Sequence, residues 1–135
     1  METRILIVSK DSYLRNQLYQ ILYTASYDCY LASTRLAASV ICKMFTPDVI
    51  MIDIILPFRD IAELLKMVPA DCSCNVIAIK PNLFPQPLID YDIKYNLSQP
   101  LDYSSTMNLF STLPNQPLLI SFFSYQIHII SDINL

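Results

Sequence analysis

Short apolar runs alternate along the chain with segments whose apolar residues recur at helical spacing, the pattern of a parallel sheet covered by helices. Ile5 to Val8 reads as a first buried strand. Asp11 or Ser12 can cap a helix whose Leu14, Leu18, Ile21, Leu22 and Ala25 share a face. A second strand is expected around Cys29 to Ala32. After it comes a helix with Leu36, Val40, Ile41 and Met44 on one inward stripe, closed by Pro47. Val49 to Asp53 is apolar until its last residue, as a strand buried on both faces should be. Asp60 is placed to cap a third helix with Ile61, Leu64, Leu65 and Val68 inward, and Val76 to Ile79 makes a fourth strand.

Beyond residue 80 the pattern weakens. PNLFPQPLIDYD (residues 81–92) can hold at most a short or irregular helix, because each proline removes a donor and disfavours the helical shape before it. Ile93 to Leu97 is the fifth strand. Ser104 or Ser105 starts a last helix through Met107, Phe110 and Leu113 that ends at Pro114. Residues 114–135 form an apolar extension (LLISFFSYQIHII at its centre), interrupted by His128 and Asp132 and expected as an extra strand or a docked or dimer-forming segment rather than a membrane span.

Composition narrows the class. The 135 residues are 53% hydrophobic and 16% charged, which supports one compact domain. A net charge of -3 leaves no basic footprint for nucleic acid. The N-terminus has only four consecutive apolar residues and predicts neither a signal peptide nor an anchor, so a cytoplasmic protein without membrane contact is expected. Cys29, Cys42, Cys72 and Cys74 match no disulfide or zinc spacing and are expected to be reduced. Glycine is absent, so Asn, Asp or a strained residue must take any left-handed turn position. The single His128 is remote from any acid or cysteine cluster, and no nucleophile-base set or phosphate loop is present.

The strings ILIVSKD, PDVIMIDIILP and LSQPLD, with an Asp ending the third strand, resemble the receiver domains of two-component response regulators over about residues 4–113. The resemblance implies a flavodoxin-like α/β fold, a five-stranded parallel sheet in the order 2-1-3-4-5 with helices on both faces. It puts Asp53 at the phospho-acceptor position and Pro57 at the family's following proline. It also marks departures. Ser9 and Lys10 stand where receivers carry the acidic pair that binds Mg²⁺, with Asp11 one residue beyond. Lys80 stands at the switch hydroxyl, Gln99 at the lysine before proline, and Asn96 at the aromatic switch position. A carboxylate receives a phosphoryl group readily only when a cation offsets the gathered negative charge. Ser9 and Lys10 cannot supply the oxygen ligands, although the Lys10 ammonium could pair with Asp53. The expected function is therefore an atypical receiver-like module, not an enzyme and without cofactor, acting through a signalling partner or homodimer. The alternative is a phosphorelay regulator that accepts phosphate on Asp53, with Mg²⁺ as its cofactor.

Overall fold

The computed structural model describes residues 3–70, 73–81 and 91–114. Its elements alternate as β1 (Arg4–Val8), α1 (Ser12–Thr24), β2 (Asp28–Ala32), α2 (Arg35–Met44), β3 (Val49–Asp53), α3 (Phe58–Lys66), β4 (Asn75–Lys80), β5 (Tyr95–Ser98) and α4 (Tyr103–Thr112). The strands form one sheet ordered β2-β1-β3-β4-β5, every neighbouring pair parallel. This is the order and class anticipated from the sequence.

The apolar runs of β1 and β3 are buried on both faces because their side chains alternate between two cores. Ile5, Ile7, Val49 and Met51 face Leu14, Leu18 and Leu22 of α1 and Phe110 of α4. Leu6, Val8, Ile50 and Ile52 face Ala38 of α2 and Ile61 and Leu64 of α3. Asp11 caps α1, its carboxylate accepting the backbone N–H groups of Tyr13 and Leu14, and Asp102 caps α4 by accepting from Ser105.

Local details differ from the sequence reading. In α2 it is Ala38 that is buried, with Ala37, Ile41 and Cys42 packed against the same core. Leu36, Val40 and Met44 are 65%, 58% and 72% exposed. Helical period alone left two stripes available, and the small residues took the close approach to the sheet. Asp60 is not the cap of α3. The helix begins at Phe58 after Pro57, whose carbonyl accepts from Asp60 and Ile61, and Asp60 instead pairs with Arg35 of α2 at 3.4 Å. The fourth strand extends one residue further each way, and β5 starts at Tyr95 rather than Ile93, which packs on the second core. The last helix starts at Tyr103, one residue early. Without glycine, left-handed backbone falls to Ser26 (φ 69°), at the turn from α1 to β2, and to Asp92 (φ 56°).

The expected irregular segment falls mostly at 82–90, and most of the extension runs beyond Pro114. Both lie outside the described residues. Cys29, Cys42 and Cys74 are free thiols, and Cys72 lies outside the described residues. Among the described residues no helix is long and apolar enough to cross a membrane.

One core group is left unsatisfied. Tyr27 is 4% exposed and stacks at a tilt on Phe110, and among the described residues its hydroxyl is the buried side-chain oxygen without a hydrogen-bond partner. Burial, with Tyr103 and Cys29 adding, pushes this hydroxyl from its ordinary 10.0 up to about 12. Burial likewise lifts the Cys29 thiol from 9.0 to about 12, with help from Asp28, and the Cys74 thiol from 9.0 to about 12 beside Cys42 and Asp48. Folding thus favours the neutral forms. Their contribution is complete below pH 9 and is lost as pH rises through 12. Thermal melts should therefore show the midpoint falling steadily above pH 9. Tyr27→Phe should leave the protein as stable at neutral pH, or more stable by up to about 1 kcal/mol, because it removes an unpaired polar group. A loss of more than about 1 kcal/mol would show that the hydroxyl is satisfied.

Candidate functional site

The site follows from strand register. Val8 of β1 pairs with Ile52 of β3, so the next residues, Ser9 and Asp53, meet at the carboxyl ends of two central strands. Both are buried, Ser9 completely and Asp53 to 7% exposure. The Ser9 hydroxyl donates to Asp53 Oδ2 at 2.7 Å, and the backbone N–H of Ile55 donates to Oδ1 at 3.0 Å. A buried carboxylate is costly unless hydrogen-bonded, and here each oxygen has a donor.

Ser9 is itself held. Its oxygen accepts the backbone N–H of Asp11 at 3.0 Å, and its carbonyl accepts Arg15 Nη1 at 2.6 Å. Arg15, on the first turns of α1, was not singled out from the sequence. No motif marks a guanidinium that reaches back to a backbone carbonyl, and only its position one helical turn past the strand end hints at the contact.

Lys10 is exposed, and among the described residues no ion pair joins it to Asp53. The pairing considered from the sequence is replaced by the Ser9 hydroxyl, because the residue ending β1 points inward and its neighbour outward. Lys10, Asp11, Asp53, Ile55, Leu56 and Gln99 line a cleft of about 330 Å³. Gln99 is half-buried, precedes Pro100 across a cis peptide bond, and donates its N–H to the Lys80 carbonyl at 2.9 Å. Lys80 and Asn96 are not part of this lining. Lys80 is half-buried at the end of β4, and exposed Asn96 turns its amide back to the Ile93 carbonyl at 3.5 Å. Tyr95, beside it, packs on the first core under the Lys94 ammonium.

Solved structures share this architecture. A CheY-like receiver domain from Methylobacillus flagellatus superposes with a TM-score of 0.69 at 14% identity, covering 84% of this chain and 99% of that one. The chemotaxis protein CheY4 of Vibrio cholerae gives 0.68 at 14% identity, with the same coverage. NtrX from Brucella abortus gives 0.70 at 16% identity over 93% of this chain and 29% of its own.

The chain has the receiver fold.

No protein-family model and no curated protein matches the sequence. The identity to the solved receivers is low enough that the likeness carries the fold, and chemistry must be argued from the residues.

Receiver chemistry implies a divalent cation at this end of the sheet, and the donor set does not fit one. Asp11 Oδ1 is committed to the α1 cap, each Asp53 oxygen accepts a protein donor, and the Ser9 oxygen is engaged twice. Among the described residues no three His, Cys, Asp or Glu side chains cluster to hold a metal. Mg²⁺ asks for near-octahedral oxygen ligands, and among the described residues the cleft lining offers the carboxylates of Asp53 and of Asp11, the latter holding the α1 cap. Wild-type protein should therefore show no heat of Mg²⁺ binding by titration calorimetry at millimolar concentration, whereas Ser9→Asp with Lys10→Asp should create measurable binding. A folded double variant that still binds no Mg²⁺ would show that the cleft is not the receiver pocket.

Proposed function

We propose that this chain is a signalling module of receiver fold that works by protein contact, with Asp53 serving as a structural brace and not as a phosphoryl acceptor. The observation that carries the reading is the 2.7 Å Ser9–Asp53 hydrogen bond together with the Ile55 N–H on the other oxygen. An attacking carboxylate must present a free oxygen in line with the donor phosphorus while a cation neutralises the crowding anions. Here each oxygen already accepts one protein donor, and the positive group that lines the cleft is one exposed ammonium, Lys10.

The contact role has support at the same end of the sheet. Ile55, which lines the cleft, is 61% exposed, and Tyr13 and Phe58, two residues past Asp11 and Leu56 of the lining, are 73% and 59% exposed. Exposed large apolar groups favour a protein partner, whether a signalling protein or a second copy, and the net charge of -3 argues against nucleic acid. Binding rather than catalysis is the proposed role, and the two-component pathway is the proposed setting.

One observation favours the other reading, a working phosphorelay regulator. Asp53 ends the central strand and lines an open cleft where ligands of such sheets bind. Intact-mass measurement after incubation with a small-molecule phosphodonor and Mg²⁺ separates the two. The brace predicts an unmodified mass. A single phosphoryl adduct that disappears in Asp53→Ala would establish the phosphorelay reading.

A further inference from the structure

The cleft at the carboxyl end of the sheet holds a carboxylate whose hydrogen bonds are met and whose charge is not. Asp53 is 7% exposed, and its donors, the Ser9 hydroxyl and the Ile55 N–H, are both neutral. A carboxylate can accept about four hydrogen bonds, so acceptor capacity remains on it. Among the described residues the ion pairs join Arg35 to Asp60 and Lys66 to Glu63, and none reaches Asp53. The Arg15 guanidinium donates to the Ser9 carbonyl at 2.6 Å. A buried charge without a counter-ion is costly, so a cation that reaches Asp53 gains more there than at an exposed acid.

Two other groups of the lining have capacity to spare. Asp11 uses Oδ1 for the α1 cap and leaves Oδ2 open, and the Gln99 carboxamide has no hydrogen bond among the described residues. Asp11 and Asp53 against Lys10 leave the lining with a net negative charge, and Lys10 itself is exposed to water. The cleft of about 330 Å³ is small for a ligand pocket and has room for one long side chain. We propose that it receives an arginine side chain of a protein partner, the guanidinium set against Asp53 with its other N–H groups donating to Asp11 Oδ2 and the Gln99 amide oxygen. A guanidinium is planar, carries five donors and is weakly hydrated, which suits a buried acid better than an ammonium. Unlike Mg²⁺, it donates to oxygens that already hold one bond and asks for no octahedral shell. Ile55, 61% exposed on the same lining, offers an apolar contact beside the charged one, which a protein partner can use and a bare cation cannot. The inference rests on the protein-contact reading of this site and names the chemistry of the partner.

Titration of the full chain with N-acetyl-argininamide, followed by amide NMR shifts, tests it. The backbone amides of Asp11, Ile55 and Gln99 should move with a dissociation constant on the order of millimolar. The neutral N-acetyl-citrullinamide should leave them in place. Asp53→Asn should abolish the response in a domain whose other resonances keep their positions. Asp11→Asn, which keeps the cap, should weaken binding about twofold to fivefold, and Lys10→Ala should tighten it by a similar factor, because each changes one charge of the lining. An acetylated Leu-Arg-Leu amide should bind more tightly than the single amino acid, and Ile55→Ser should remove the gain. No shift at about 50 mM, far above the expected constant, would overturn the proposal. Equal shifts with the citrulline compound would overturn it too, as would binding that survives Asp53→Asn in a folded domain or ignores both Asp11→Asn and Lys10→Ala. A tripeptide no tighter than the single amino acid would overturn the protein partner in favour of a free guanidinium compound. A phosphoryl adduct on Asp53 would defeat the contact reading and this inference with it, whereas an unmodified Asp53 that ignores arginine would sink this inference alone.

Discussion

A hydroxyl that donates to a buried carboxylate, Ser9 to Asp53, sets the character of this domain. The sheet makes the contact unavoidable, since β1 and β3 run side by side with Val8 opposite Ile52, and the chain turns inward at the next residue of each. Asp53 is satisfied there by protein donors. One donor comes from Ser9 and the other from the Ile55 backbone, and Ser9 is in turn pinned by the Asp11 N–H and by Arg15. The strand ends, the α1 cap and the β3–α3 turn are thereby tied through one carboxylate. A charge-assisted hydrogen bond in this setting contributes about 1.5–3 kcal/mol, a sizeable fraction of a small domain's stability.

Under the proposed reading, that network gives the aspartate of a receiver fold a structural use. In a site that gathers anions, the acid opposite the acceptor serves through a bound cation. Replacing it by serine removes a negative charge and adds a donor of the right length. On that reading the aspartate has a structural use that does not depend on phosphorylation.

The sheet was legible because its strands are nearly unbroken apolar runs, and β3 from Val49 to Asp53 coincides with its reading. The cap of α1 was legible to within one residue, Asp11 or Ser12, since a short acceptor before a periodic segment marks a helix start, and the structure selects Asp11. The α2 face was not, because Leu36, Val40 and Met44 and the Ala37, Ala38 and Ile41 set both satisfy a period of 3.6, and only packing distance to the sheet chooses between them. Asp60 was misread as a cap because its partner, Arg35, is distant in sequence. Within the site, Asp53, Asp11, Lys10 and Gln99 do share a cleft, whereas Lys80 and Asn96 stay out of it. Ser9 had been noticed only for the acid it replaces. Its role as donor depends on register between strands, which no local pattern encodes.

The most direct test of the brace is a double-mutant cycle on Ser9→Ala and Asp53→Asn, read by denaturant unfolding at neutral pH. The account predicts that each single substitution destabilises the domain and that the pair is coupled by about 1.5–3 kcal/mol, because each removes the same charge-assisted bond. Coupling within about 0.5 kcal/mol of zero would mean that Asp53 is held by other groups, and would contradict the central role given to the Ser9 hydroxyl.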